Sequence, residues 1–506
     1  MTSRCLVICV STAFCVLFLG PTVASSEVSL AGRIASLVAN ARYKEANVAV
    51  AVVDGRGHLV VGIIDRLPFK PASNQKLLTT AAALHFLGLD YSYHTRVWAC
   101  APLVGGTIGG DILVRGAGDP NISGRFHEDQ PDYLLRLWAS RLHEAGLRRI
   151  EGAVIADDRF FDDERFLPSW KRAQEASWYS AQISALTLND NCLDITVRPA
   201  PVAGRPARVE IQPPCSLLKI EGTPRTVATG KTLILVHRKT GTNQITIKGT
   251  IRQGREFWKG NVTVDDPALF FAAAFTDALR RNGITVLEKP GKKARVGVRD
   301  SAGELVRRIE DEGCDERVLV QHTSTLAEDL PVVQKHSQNL HAELLLKTIG
   351  AQVFGDGSRA GGERAVRKFL SEKKIAHEKL VLGDGSGLSH ENRLTARLLA
   401  RLLHSVRAET YFDAFRGALP VAGVDGTLKR RFRAPSVARG KVVAKTGFIL
   451  GVSALSGYVT RGDRLWSFSI LINGFPPGAR SAKVLQQRIC EELYRALEPA
   501  PTGLAK

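Results

Sequence analysis

Pro71-Ala72-Ser73-Asn74-Gln75-Lys76-Leu77-Leu78-Thr79-Thr80 decides how the rest of the chain is read. From Leu77 to Leu87 the residues are rich in Ala and Leu and stop at Gly88, which predicts a buried helix with a glycine stop. A serine at the mouth of such a helix holds its hydroxyl at the positive end of the dipole. A lysine three residues on shares its face and lies beside that hydroxyl. Serine is a weak nucleophile at its ordinary pKa and needs a base within hydrogen-bond reach. Lysine can be that base when burial or a neighbouring cation lowers its pKa. Ser73 and Lys76 meet this requirement. The tetrapeptide Ser-x-x-Lys alone is weak, because roughly one or two copies are expected by chance in a chain of this length. Ser216/Lys219 and Ser371/Lys374 repeat it here, so context has to single out one pair.

Upstream, Asn47 to Gly62 alternates Val and Ala around Asp54-Gly55-Arg56-Gly57, which predicts a hairpin. At the N-terminus, Arg4 precedes an apolar run from Cys5 to Gly20, followed by Pro21-Thr22-Val23-Ala24-Ser25. The run is short for a membrane span and has a small-residue cleavage region behind it, so residues 1–25 are expected to be a signal peptide. The mature protein is then exported, with a periplasmic location expected and no membrane anchor after cleavage. Of the eight cysteines, Cys100, Cys192, Cys215, Cys314 and Cys490 remain after that cut. None has metal-ligand spacing, so no metal is expected, and disulfide pairing stays open.

The 506 residues, 44% hydrophobic and 24% charged, suffice for two or three globular domains. The net charge of +19 is spread along the chain, densest at Lys429-Arg430-Arg431-Phe432-Arg433 with Arg439 and Lys441. An exported chain rarely meets nucleic acid, so no nucleic-acid partner is expected. The basic residues form either a solvated surface or an attraction to an anionic envelope polymer.

Downstream of the serine helix the pattern changes. Residues 91 to about 300 are rich in strands and Gly-containing turns, including a hairpin between Thr232–His237 and Gln244–Thr250. Asp266-Pro267 opens a helix that ends at Asn282-Gly283. Pro290-Gly291-Lys292-Lys293 is a plausible boundary loop. Helical patterns then return: Asn339–Ile349 as an amphipathic helix, Gly361–Leu370, and Leu394–Val406. Val442–Lys445, Val452–Val459 and Leu465–Asn473 read as three strands, and Ala482–Leu497 as a closing helix. A serine helix near one end and a sheet near the other can form one domain split by an insertion.

Two further triplets complete the set. Ser337-Gln338-Asn339 opens the amphipathic helix, and Lys445-Thr446-Gly447 lies in a strand. Ser-x-x-Lys, Ser-x-Asn and Lys-Thr-Gly in this order mark penicillin-interactive serine acyl-transferases. With these motifs go Gly116-Ala117-Gly118-Asp119-Pro120, Ala185-Leu186-Thr187-Leu188-Asn189, Gly383-Asp384-Gly385-Ser386-Gly387-Leu388-Ser389 and Val452 to Val459. On these residues nearly the whole mature chain resembles class C low-molecular-mass penicillin-binding proteins, the D-alanyl-D-alanine carboxypeptidase/endopeptidases of the penicillin-binding protein 4 type. A second Lys-Thr-Gly, at Lys239-Thr240-Gly241, precedes Ser337 against the family order and falls in a hairpin loop. Lys445 is therefore preferred.

The resemblance implies an α/β (α+β) fold of the penicillin-binding-protein/β-lactamase-like transpeptidase class, an antiparallel sheet flanked by helices with a large β-rich insertion. The expected division is catalytic at 26–90, inserted at 91–300 as two subdomains, and catalytic again at 301–506. It implies acyl transfer with Ser73 as nucleophile, Lys76 as base, Ser337 as proton relay and Asn339 as holder of Lys76 and the substrate amide. Lys445, Thr446, Gly447 and Phe448 would bind the substrate, with the N–H groups of Ser73 and Phe448 as oxyanion donors. Peptidoglycan peptides are the implied partners, β-lactams the covalent inhibitors, and no cofactor or metal is called for. One departure stands out: Phe448 follows Lys-Thr-Gly where the family more usually has Ser or Thr, which bears on carboxylate recognition. His336 reads as a proton shuttle or an incidental neighbour, and Asp384 and Ser386 as site lining or turn residues. A β-lactamase and a catalytically silent envelope scaffold are the alternatives. Stable, transient or absent penicillin labelling separates the three.

Overall fold

The computed structural model describes residues 29–40, 47–292, 317–475 and 480–497. The expected signal segment, Cys314 and the expected boundary at residue 300 lie outside them. Asn47–Val53 (β1) and Leu59–Ile63 (β2) pair antiparallel around the predicted turn. Asp54 ties that turn, its Oδ1 accepting the N–H groups of Arg56 and His58 at 2.8 Å each. Val442–Ile449 (β3), Val452–Arg461 (β4) and Arg464–Asn473 (β5) complete the sheet. Its order is β2-β1-β5-β4-β3, antiparallel throughout, so the first strand lies beside the last.

Both faces of this sheet are covered, which is why β1 reads as a continuous apolar run rather than an alternation. Leu30–Ala39 (α1), Gln75–Leu87 (α2), Leu326–Gln334 (α3), Asn339–Phe354 (α4), Arg359–Glu372 (α5), Ala396–Val406 (α6), Phe412–Gly417 (α7) and Arg480–Ala496 (α8) belong to this split unit. Ala49, Ala51 and Val53 face a core that holds Leu77, Leu78 and Ala81 of α2 and Leu399 and Leu403 of α6. Val48, Val50 and Val52 face the other core, with Ile34 of α1 and Leu485, Ile489 and Leu493 of α8. Each of these Val, Leu and Ile side chains contributes roughly 1.5–3 kcal/mol by leaving water. Helix α2 ends as predicted at Gly88, whose φ of +78° suits glycine.

The inserted block is β-rich, as expected. Ser92–Ala99 pairs with Ile112–Arg115 on one side and Val318–Thr325 on the other, in a five-stranded sheet completed by Val154–Asp157 and Gly291–Lys292. A second part contains Cys192–Arg198 between Arg208–Gln212 and Trp258–Thr263, and the predicted hairpin as Leu233–Arg238 with Gln244–Arg252. Helix Pro267–Arg281 starts at Asp266, whose Oδ1 accepts the Leu269 N–H at 3.2 Å.

Two features differ from the sequence reading. Val318–Thr325 falls after the expected boundary at 300, yet it is a strand of the insert's sheet, so the chain rejoins the split unit only at Leu326. Helix α4 is not amphipathic in place, because every residue from Asn339 to Gly350 is buried. It runs between α2, α5 and the inserted turn Trp178–Ser180, and its Asn339, His341, Glu343 and Lys347 side chains are paired rather than solvated. Cys100 is disulfide-bonded, while Cys192, Cys215 and Cys490 are free thiols whose pKa values burial pushes up. No helix among the described residues is long and apolar enough to cross a membrane.

Candidate active site

Ser73 sits in a single 3-10 turn, Ala72–Asn74, that leads directly into α2. The backbone here is tightly enclosed. Ala72 has a left-handed φ of +45°, and a Cβ on Gly387 would stand 1.9 Å from its carbonyl oxygen. A Cβ on Gly447 would stand 2.8 Å from Pro71 O and 3.1 Å from Ser73 N. Only glycine lets a loop and a strand close this far on the serine. Asn74 Nδ2 donates to Lys445 O at 2.9 Å, tying the start of α2 to β3.

Lys76 is fully buried and its Nζ donates three hydrogen bonds: to Ser73 Oγ at 3.1 Å, Asn339 Oδ1 at 2.6 Å and Ser386 O at 2.8 Å. Burial lowers its pKa to about 7, against the opposing charges of Asp384 and Glu343. Desolvation alone does this, and the charges that act on Lys76 are acidic and oppose it, unlike the neighbouring cation that the sequence reading allows for. Lys445, also buried, donates to Ser337 Oγ at 2.8 Å and Thr446 O at 3.0 Å. Its pKa lies well below the ordinary lysine value, through burial first and the Lys76 charge second.

The three motifs therefore meet. Ser73, Lys76, Ser337, Asn339, Lys445, Thr446 and Gly447 surround one spot, joined by Lys76–Asn339 and Lys445–Ser337. Thr446 Oγ1 donates to Thr427 Oγ1 at 2.7 Å. Phe448 is at the rim, 55% exposed, with the Lys483 ammonium 5.3 Å from its ring centroid. The other candidate pairs do not assemble. Ser216 is outside any helix, and Lys219 begins an exposed strand. Ser371 is exposed on α5, and Lys374 lies past the helix end with φ +54°. Lys239 and Thr240 are exposed in the insert's hairpin. His336 is exposed, and its ring makes no hydrogen bond to a described residue.

Residues outside the three triplets hold the rest together. Asp384 is a turn residue, accepting N–H groups from Gly387 at 2.7 Å and Ser389 at 2.5 Å, Asn392 Nδ2 at 2.7 Å and Trp170 Nε1 at 3.0 Å. Glu343 accepts the Gly385 and Ser386 N–H groups at 2.9 and 2.8 Å, so the Ser386 carbonyl is aimed at Lys76. Burial and Asp384 push the Glu343 pKa up to about 8. From the insert, Tyr179 O accepts Asn339 Nδ2 at 2.7 Å, and Asp190 Oδ2 accepts Gln338 Nε2 at 2.7 Å. One signal was readable: Asn189-Asp190-Asn191 is a run of the residue types that best tolerate φ > 0, and all three adopt it.

Residues 30–491 match the family D-Ala-D-Ala carboxypeptidase 3 (S13). The chain belongs to that family. This S13 chain is 37% identical over 418 residues to the D-alanyl-D-alanine carboxypeptidase of Actinomadura sp. (strain R39), covering 80% of this chain and 73% of that protein. Its fold is similar to the crystal structure of penicillin binding protein 4 from Haemophilus influenzae, with a TM-score of 0.75 at 20% identity over 91% of this chain and 99% of that one. A structure of the same Haemophilus protein complexed with a β-lactam aligns at a TM-score of 0.70 and 20% identity, covering 92% and 100%. The S13 chain is a serine-type D-alanyl-D-alanine carboxypeptidase, as the resemblance implied, and it shares the fold of penicillin binding protein 4.

Proposed function

We propose that this S13 protein is exported and cleaves peptidoglycan stem peptides through an acyl-enzyme on Ser73, as carboxypeptidase and as endopeptidase. The observation that carries this is the buried Lys76 ammonium 3.1 Å from Ser73 Oγ with its pKa near 7. A lysine poised there is neutral in a large fraction of molecules at neutral pH and accepts the hydroxyl proton as the bond to carbon forms. Ser73 Oγ attacks the carbonyl of the penultimate D-alanine, and its proton passes to Lys76 Nζ. The N–H groups of Ser73 and Phe448 stabilise the oxyanion, usually the largest single contribution. Collapse breaks the peptide bond, and the leaving amine takes a proton relayed through the Ser337 hydroxyl, which Lys445 holds. Asn339 orients Lys76 and receives the substrate amide, while Lys445 and Thr446 attract the terminal carboxylate. Water then attacks the ester, returns Ser73 to its free form and releases the shortened peptide. With a terminal D-alanine as leaving group the enzyme trims, and with a cross-linking residue as leaving group it cuts the cross-link.

The complex of the similar Haemophilus protein with a β-lactam supports the covalent-inhibitor part of this reading. Labelling with a fluorescent penicillin tests it. Wild type and Ser216→Ala and Ser371→Ala variants should carry a stable label, and Ser73→Ala none with its melting curve unchanged. Labelling of folded Ser73→Ala would place the nucleophile elsewhere, and a label lost within minutes would favour a β-lactamase.

A further inference from the structure

Gln338, the middle residue of the Ser-x-Asn triplet, is buried and engaged at three points. Its Oε1 accepts the Asn339 N–H at 2.8 Å, its Nε2 donates to Asp190 Oδ2 at 2.7 Å, and its own N–H reaches Val332 O at 3.2 Å. Next to it, Ser337 holds a left-handed φ of +61°, a conformation a non-glycine residue keeps only where its surroundings impose it. In that conformation its hydroxyl meets Lys445 Nζ.

Asp190 comes from the inserted block, at the centre of the left-handed run Asn189–Asn191. Two cations hold it. Arg125 Nη2 donates to Oδ2, and His341 Nε2 lies 3.0 Å from Oδ1. The other ring nitrogen, Nδ1, is 2.6 Å from Asp329 Oδ1 of α3. An ionised carboxylate only accepts hydrogen bonds, so a ring with carboxylates at both nitrogens donates from both and is an imidazolium. Burial alone would lower the His341 pKa, but Asp329 and Asp190 raise it to about 9. A wholly buried cation on α4 therefore clamps a carboxylate of the insert against the triplet.

We propose that Asp190 is a positioning residue of the acyl-transfer site, acting through Gln338 to hold Ser337 against Lys445, with His341 and Arg125 fixing Asp190 itself. This rests on the Ser73–Lys76 acyl-transfer reading. It makes the inserted block part of the reacting constellation, because lifting one turn of it would release Ser337 while Ser73 and Lys76 stay in place.

Acylation rates with a fluorescent penicillin, measured for wild type, Asp190→Ala, Ser337→Ala and the double variant, decide the matter. Asp190→Ala should acylate about tenfold more slowly, and the double variant no more slowly than Ser337→Ala alone, because coupled residues are not additive. Losses that multiply in the double variant would overturn the proposal and leave the acyl-transfer reading standing. A wild type that takes no label would overturn that reading and the proposal with it. If melting curves show Asp190→Ala unfolded, Gln338→Met replaces it. That variant removes the link, leaves the Asp190–His341–Asp329 set intact, and should show the same non-additivity with Ser337→Ala. Multiplying losses there overturn the proposal equally.

Discussion

Lys76 is a base only in its neutral form, and with a pKa of about 7 its protonation changes within the working range. Below that value the ammonium cannot take the Ser73 proton. The acylation rate should therefore rise about tenfold per pH unit on the acid side and level off above pH ~7, which stopped-flow β-lactam acylation would show. A flat profile from pH 5 to 8 would exclude Lys76 as the base. Phe448 sets a second test. Strand alternation puts it on the same side of β3 as Thr446, and a hydroxyl there could give one hydrogen bond to a charged carboxylate, ~1.5–3 kcal/mol. Phe448→Thr should raise kcat/KM for a terminal D-alanyl-D-alanine peptide by roughly one order of magnitude, ~1.4 kcal/mol. An unchanged value would show that another group, with Lys483 beside the ring as the candidate, already holds the carboxylate. Ser73, Lys76, Ser337, Asn339 and Lys445 could be picked out from sequence as neighbours because their types and order are distinctive. Ser386 reads from sequence only as site lining or a turn residue, since it meets Lys76 through a carbonyl that any residue has. Glu343 reads as a solvated helix residue until its partners are known, and Asp190 is separated from Gln338 by 148 positions.

Elements come together at this site through glycine. Gly387 in the loop and Gly447 in β3 both press on the turn that carries Ser73. Gly447→Ala would push the strand off Pro71 O and Ser73 N by some tenths of an ångström, and misplacements of this kind slow acylation by roughly 10–100-fold with little change in the unfolding midpoint. Gly387→Ala is different, because the added Cβ meets backbone at 1.9 Å and the φ is +87°. It should destabilise the fold by ~2–4 kcal/mol in urea titrations. A neutral result for Gly387→Ala would mean the loop can move away from α2. Hairpins and caps were predictable at this scale because their signals are local, as at Asp54–Gly57 and Asp266-Pro267. The full burial of α4 was not, because a pattern with His341, Glu343 and Lys347 reads as a wet face. Those side chains are inside because Asp190, the 385–386 backbone and Asp162 meet them there.

For the whole molecule, the sequence suggests a split unit with an insert ending at 300, but strand pairing runs past that point. Val318–Thr325 has the look of any strand, and only its partner Ser92–Ala99 assigns it to the insert. The two Lys-Thr-Gly copies belong to different units, so Lys445→Ala should slow acylation by at least ~100-fold, the loss typical of a key oriented group, whereas Lys239→Ala should change it little. A comparable loss in both would bring the distant hairpin into the site. Lys70 N donates to Asn473 Oδ1, at the end of β5, at 2.9 Å across 403 positions, and β1 pairs with β5 along its length. Contacts of this span close late and slowly as a chain folds. As the chain grows from its N-terminus, the insert can already be compact, but β1 must wait as an unpaired edge until the last strands arrive. The acylating centre is then assembled last, so an interrupted chain emerges with its serine unarmed, and a folding helper would find its use in shielding that waiting edge.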